Sequence, residues 1–576
     1  MAEISMADAT AMLTAKGAPF EMEEASIRGV NLRVWKYAPE DLREIFESTQ
    51  AHGDKVFLVY EDERMTFAEH YQAVSRLAHL LRNDYGVKKG DRVAIAMRNF
   101  PEWPVCFWAT VICGAVVVPL NAWWTGHELE YGLADSGAKV LFADGQRVES
   151  LVDHFTVLTD LQQVIVIRDG GNLPAGVLRL TDELARVEGT PDLPHVNLVP
   201  EDDATIFYTS GTTGQPKGAL GTHRNICTNL LNLRYAGMRS MIRRGDIPAV
   251  MKGEKPAPAP PLAPLISVPF FHATGCHSTL LSNTAGGNKL VMMYKWDPER
   301  AMELIEREKI TSFGGVPSMV WQVLESPEFE NRDLSSIQSI GYGGAPAAPE
   351  LVDRIKERFP NVSAGNGYGL TETSSMTSSN SGIDYERKPD SVGVAVAVCD
   401  VKLMDADGTG EVEPGAIGEL WIKGPNVVKG YWNKPEATEN TFTDGWLHTG
   451  DLARIDDEGF IYIVDRAKDM LIRGGENVYC VEVENALYEH PAVMDAAVVG
   501  VPHKVLGEEV GAVVQVVPGS KLTKEELAAF VRKELAAFMV PQYFMLITDP
   551  LPRNANGKIL KPEVRQTLLE YLGMAT

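Results

Sequence analysis

Between Lys55 and Tyr208 the chain keeps setting short β-type runs against helical stretches, and this alternation limits the folds open to it more than any other feature. FLVY (57–60), VAIAM (93–97), VLFA (140–143), VIVI (164–167) and ATIFY (204–208) are rich in branched and aromatic residues, while Phe67–Leu81 repeats its apolar positions at helical spacing. Runs that are apolar on both faces imply strands covered on both sides, so the expected class is α/β with largely parallel, doubly covered sheets. At 576 residues the chain exceeds what one core usually serves, and about three to four structural units are expected. No internal repeat is evident.

One stretch could pass for a membrane span. Trp103–Leu120 runs eighteen residues without a formal charge, but Pro104, Gly114 and Pro119 interrupt it and Val116–Val118 is β-branched. A buried helix followed by a short interior strand fits better, and no integral membrane segment is expected. Lys plus Arg number 54 and Asp plus Glu 78, a net charge of −24, which argues against general binding of nucleic acid or anionic membranes. Six cysteines without CxxC spacing read as reduced core residues. The first residues lack a basic region followed by an apolar one, and the chain ends GMAT instead of SKL, so a cytoplasmic protein is expected.

The chemistry concentrates in Tyr208–Gly218, YTSGTTGQPKG, which reads as a strand, a loop and a helix start because Ile226, Leu230 and Leu231 recur at helical spacing. Backbone N–H groups, the hydroxyls of Thr209, Ser210, Thr212 and Thr213, and the Lys217 cation suit a polyphosphate. It is not a Walker A loop, since Pro216 and Gly218 replace the second glycine and the metal-binding hydroxyl. Turn composition alone would also explain it. Other strings carry weaker signals of their own. His272 sits in an apolar run (VPFFHATG). Glu372 in NGYGLTET is a hard oxygen ligand or a helix cap, and Tyr368 is a flat face for a purine. Asp451 in WLHTGD reads as a turn carboxylate, and Lys558 sits at an Asn-Gly-Lys turn tip. His272, Cys276 and His277 lack the further ligands a zinc site needs. Gly237–Leu265, with Arg239, Arg243, Arg244 and a proline-rich stretch, reads as a surface insertion.

Taken together, these strings resemble six motifs of the adenylate-forming superfamily, which holds acyl-CoA synthetases, adenylation domains and luciferases. The resemblance runs in family order from about residue 50 to 565. It is closest to the acyl-CoA synthetase, or fatty-acid:CoA ligase, branch. It implies a large multi-lobed N-terminal domain (1–467) and a small mobile α+β C-terminal domain (468–576), with Lys468 as the hinge. It implies ATP contacts from Thr209, Ser210, Gly211, Thr212, Thr213, Gly214 and Lys217. Gly344, Ala345, Asn366, Gly367, Tyr368, Gly369, Thr371 and Glu372 would flank the nucleotide. Asp451 would hold the ribose, Arg466 would contact the nucleotide, and Lys558 would lie between the carboxylate and the α-phosphate. Mg²⁺ would lie on Thr209 and Glu372, His272 would gate the acyl pocket, and Gly474, Gly475 and Glu476 would border a coenzyme A channel. Amino-acid-activating members carry an Asp where His272 stands, so an α-amino acid is not expected.

The reaction so implied joins a carboxylic acid to CoA through an acyl-adenylate, with Lys558, His272 and Lys217 as catalytic residues. A medium- or long-chain fatty acid is favoured, with aryl and sterol-derived acids left open. Delivery to a carrier protein, an inactive nucleotide- or acyl-binding regulator and a luciferase-like oxygenase also remain open at this point. A homodimer is the default expectation for a soluble enzyme.

Overall fold

The computed structural model describes residues 4–209, 215–254, 262–344, 350–554 and 557–574. Ser210, Gly211, Thr212, Thr213, Gly214 and Ala345, all expected nucleotide contacts, lie outside the described residues.

Of the five predicted β-runs, FLVY (57–60) lies in a separate sheet and the other four lie in one seven-stranded sheet. Its order is Lys217–Thr222, Asp203–Thr209, Val116–Pro119, Arg92–Ala96, Val140–Asp144, Gln163–Ile167 and Val177–Arg179, parallel throughout except for Lys217–Thr222. Helices cover it, as continuous apolar strands require. In helix Glu102–Ile112 every residue from Trp103 to Ile112 is buried, and Val116–Pro119 returns as an interior strand, so the suspected span is core. Trp103, Phe107 and Trp108 anchor that core with Phe46 and Phe57. Among the described residues no helix is long and apolar enough to cross a membrane.

A four-stranded sheet pairs Leu265–Ile266, Leu290–Met292, Val56–Tyr60 and Glu63–Thr66. A five-stranded sheet runs Ser312–Gly315, Ser339–Gly343 and Ser363–Tyr368 in parallel, then adds Ser378–Ser381 and Val394–Ala395 antiparallel. An antiparallel sheet holds Asp400–Met404, Gly418–Lys423, Trp446–Ile455 and Ile461–Arg466. Past Arg466 a further sheet combines Leu471–Arg473, Glu476–Val478, Val493–His503, Gly507–Val516 and Tyr543–Ile547. Its two hydrophobic clusters draw only on residues from Leu471 onward.

Three local expectations change. The phosphate-loop string does not lead straight into a helix: Lys217–Thr222 returns antiparallel to Asp203–Thr209, and the helix starts at His223, capped by Thr222. A two-residue β period over six residues is too short to stand out beside the strong helical spacing that follows it. WLHTGD is not a turn but part of the strand Trp446–Ile455, which accommodates Gly450 at φ +69°. The start of the presumed insertion is not a linker, because helix His223–Arg243 continues through it. There Arg239 is buried with hydrogen bonds to Ser379, Val394 and Ala395 carbonyls, and Arg243 forks onto buried Asp384.

Candidate active site

Parallel strands deliver their C-terminal ends to one place, the usual location of a ligand crevice in such sheets. Register sets Gly343 opposite Gly367 and Tyr342 opposite Asn366, so the predicted Gly344 and Asn366–Tyr368 segments lie side by side. Gly344 takes φ +74°, a conformation that favours glycine. At Gly369 an added Cβ would fall 1.4 Å from the Ser375 carbonyl oxygen, so no side chain fits where this turn folds back. The Asn366 side chain is buried and meets the Tyr385 hydroxyl.

Two antiparallel strands place Asp451 opposite Arg466. The Tyr368 hydroxyl donates to Asp451 Oδ2 at 2.6 Å, and Arg466 Nε lies 3.1 Å from Asp451 Oδ1. Each carboxylate oxygen has a second lone pair, so the group can still accept from a diol. At the other end Thr209 pairs with Lys217 and donates through Oγ1 to the Lys217 carbonyl. Lys217 Nζ lies 5.2 Å from the centre of the Tyr431 ring, and the Tyr431 hydroxyl donates to Glu372 Oε1 at 2.7 Å. The segment carrying Tyr431 is laced onto the returning strand: Trp432 N–H donates to Gly218 O and Leu220 N–H to Gly430 O. Behind the loop, Asp135 accepts from the Tyr208 hydroxyl and from Lys434, while Tyr131 donates to the Pro216 carbonyl.

His272 is brought in by Asn99, which follows the Arg92–Ala96 strand. Its Oδ1 accepts from Phe270 N–H and its Nδ2 donates to the Val268 carbonyl. Burial, with Lys558 adding to it, pushes the His272 imidazole down to about 3, so the ring is neutral near pH 7. The next residues, Thr274–Leu281, wind as a π-helix, a form found mostly at functional sites. It is tied to the Glu372 turn: His277 Nδ1 lies 3.2 Å from Ser374 O, and the Ser278 and Ser375 hydroxyls meet at 2.7 Å. Ser374 and Ser375 adopt φ +54° and +113°, strain that the surrounding contacts hold in place.

The small unit supplies the last cation. Lys558 follows Gly557, whose Cα approaches Val316 so closely that an added Cβ would lie 2.6 Å from Val316 Cγ2. Its N–H donates to Asn554 Oδ1 and its carbonyl accepts from Asn554 N–H. Burial pushes the Lys558 ammonium down to about 8; Arg466 and Lys468 push the same way, and Asp451 and Glu372 oppose them. Residues far apart in the chain therefore share one electrostatic field, in which Arg466, Lys468 and Lys558 face Asp451 and Glu372. The Gly474–Gly475–Glu476 tip joins Leu471–Arg473 to Glu476–Val478 and is held by its own sheet, through Gly474 N–H to Leu506 O and Arg473 to Glu509.

Glu372 and Thr209 offer hard oxygen donors, as Mg²⁺ requires, and Tyr431 orients the carboxylate from behind. Among the described residues the only trio of His, Cys, Asp or Glu within mutual ligand reach is His127, Glu130 and His154, which includes neither predicted magnesium ligand. Tyr431, Asp135, Tyr131, Asn99 and Val316 carry no sequence signal of function. Tyr431 could have been suspected only as the aromatic end of GPNVVKGY.

Clustered cations, a buried carboxylate with lone pairs to spare and a lysine borne on the small unit are a donor and acceptor set suited to an anionic, diol-bearing ligand such as a nucleotide. The AMP-binding enzyme family matches residues 45–432 and the AMP-binding enzyme C-terminal domain matches 482–558; the chain belongs to this family. A feruloyl-CoA synthase of an Amycolatopsis species is 37% identical over 502 residues, 87% of this chain and 94% of its own. A long-chain-fatty-acid–CoA ligase of Bacillus subtilis (strain 168) is 35% identical over 550 residues, 91% and 93% of the two chains. Among solved structures, the anthranilate CoA ligase AuaEII in complex with anthranoyl-AMP superposes with a TM-score of 0.82 at 25% identity, covering 92% of this chain and 98% of that one. ATP-bound MatB from Rhodopseudomonas palustris gives 0.78 at 29% identity, covering 92% and 99%.

Proposed function

We propose that the protein is an ATP-dependent carboxylic acid:CoA ligase, converting acid, ATP and CoA into acyl-CoA, AMP and diphosphate through an acyl-adenylate. The observation that carries this reading is the convergence of Lys558 with Glu372, Asp451 and Arg466. A site for binding nucleotide alone would not need a lysine delivered from a second unit.

A carboxylate is a poor electrophile because its carbon shares the negative charge of two oxygens. Attack of one carboxylate oxygen on the α-phosphorus forms a P–O bond as the bond to the β-phosphate oxygen breaks, and diphosphate leaves. Two anions must meet, so the protein's task is to align and screen them; no general base is needed. Lys217 lies along the departing phosphates, and Lys558 screens the charge that gathers between carboxylate and α-phosphorus. Arg466 and Asp451 fix the nucleoside end, and neutral His272 adds no repulsion to Lys558. Magnesium held by Glu372 and Thr209 would supply further charge neutralisation on the phosphates. In the second half-reaction the thiol attacks the acyl carbon and AMP departs. Lys558 must withdraw for this, so the reading takes Lys468 as the pivot and 467/468 as the boundary, with Gly474–Glu476 presented to pantetheine.

The acid is apolar. A medium- or long-chain fatty acid is the first choice, supported by the Bacillus ligase. An aryl-propenoic acid is the second, supported by the Amycolatopsis synthase at slightly higher identity. Diphosphate release across both acid classes, with and without CoA, tests the reading. AMP and acyl-CoA are the expected products. ADP formation, or no AMP with any acid, refutes it, and acyl-AMP that CoA does not discharge points to a carrier protein.

A further inference from the structure

Helix Cys480–Tyr488 is the first helix after Arg466, yet its N-cap, Tyr479, makes no side-chain capping bond. The bond comes from elsewhere: Asp465 Oδ2 accepts the Cys480 N–H. Asp465 belongs to the strand Ile461–Arg466, paired with Trp446–Ile455 in the large unit's sheet, and it stands three residues before the presumed pivot at Lys468. The carboxylate is 2% exposed, and its Oδ1 also accepts the Arg466 N–H at 2.7 Å. An acid at a helix N-terminus satisfies a free donor and meets the positive end of the helix dipole, and both effects are lost within one turn of separation.

The same buried pocket contains Lys561, three residues past Lys558. Its Nζ lies 2.8 Å from Glu484 on the capped helix, and its charge reaches Asp465. Glu484 Oε1 also accepts the Val498 N–H, fixing the helix to the small sheet. Asp465 therefore caps, across the pivot, the helix to which the Lys558-bearing segment is ion-paired.

We propose that Asp465 is a positioning residue for adenylation: by capping helix Cys480–Tyr488 from the other side of the pivot, it favours the orientation that places Lys558 in the site. Rotation about Lys468 must part Asp465 from Cys480, so the cap belongs to one orientation only. The effect on half-reactions rests on the ligase reading; the effect on orientation does not.

The test uses the full chain with Asp465→Ala, Asp465→Asn and Cys480→Pro. Proline is well tolerated in the first helical position, and Tyr479 at ψ 112° already has the extended conformation that precedes it, so Cys480→Pro deletes the N–H while keeping the acid. Spin labels on Val157→Cys and Val505→Cys, both exposed, report orientation, since all six native cysteines are buried. In Asp465→Ala and Cys480→Pro, diphosphate release should fall by up to about five-fold, the change one helix cap makes to the equilibrium between orientations, while thioester formation from supplied acyl-adenylate and CoA holds or rises. The label population at this structure's distance should fall with it. Asp465→Asn, which keeps an acceptor, should fall between wild type and alanine. Equal loss in both half-reactions with an unmoved label distance would make Asp465 merely structural and overturn the proposal, as would unchanged diphosphate release. If wild type shows neither half-reaction, the ligase reading fails and the label distances alone decide the cap.

Discussion

The pH dependence of adenylation tests the charge logic of the site most directly. Lys558 is brought down from the usual lysine value to about 8, chiefly by burial and then by Arg466 and Lys468. Below that value it is a cation and can screen the meeting anions; above it, the ammonium loses its proton and the screening disappears. At pH 7 about nine-tenths of free enzyme carries the charge, and at pH 9 about one-tenth. The kcat/KM for diphosphate release, which reports free enzyme, should therefore fall about ten-fold between pH 7 and 9. Lys558→Arg keeps the cation through this range, because guanidinium stays protonated. Its absolute rate should drop for lack of the right reach, but its profile should stay flat from pH 7 to 9. Continuous diphosphate detection with acid and ATP both held well below their KM, at constant ionic strength, gives both curves. A flat wild-type profile, or an arginine variant with the same alkaline fall, would refute the assignment of that limb to Lys558.

Other consequences are open to measurement. Lys558→Ala should abolish diphosphate release while sparing thioester formation from supplied acyl-adenylate; loss of both in parallel assays would remove the lysine from its place. Lys468→Pro should keep adenylation and lose thioester formation, and survival of both would end the pivot reading. Tyr431→Phe leaves Glu372 without its 2.7 Å donor and should raise the Mg²⁺ concentration needed for half-maximal adenylation about ten-fold, read by magnesium titration. Trp108→Ala empties a fully buried site between Phe46 and Phe107 and should cost about 3–5 kcal/mol in urea unfolding, with no change in substrate preference among molecules that remain folded.

What the sequence showed depends on how local each signal was. The strands of the main sheet were legible because both of their faces are buried, which leaves a continuous apolar run. Trp103–Leu120 was legible as core because prolines, a glycine and branched residues punctuate it. The return strand Lys217–Thr222 was not, since glycines and an alanine give it little β character and its partner is the strand just before it. Asp451 could be found but not its strand, because a left-handed Gly450 resembles a turn in the sequence. Lys217, Glu372, Asp451, Arg466 and Lys558 could each be singled out, yet no single-sequence pattern says that the last approaches the second to fourth. Tyr431 and Asn99 were missed for a related reason: they act by holding other residues, so their own neighbours in the chain carry no trace of the task.

The docking of Gly557 against Val316 concerns two pieces of one molecule. Because a short connector joins them, Lys558 never has to be recruited from solution, and its local availability is fixed by that tether whatever the enzyme concentration. A weak, easily parted contact is then sufficient, and under the proposed mechanism it would leave the lysine free to depart once in every turnover.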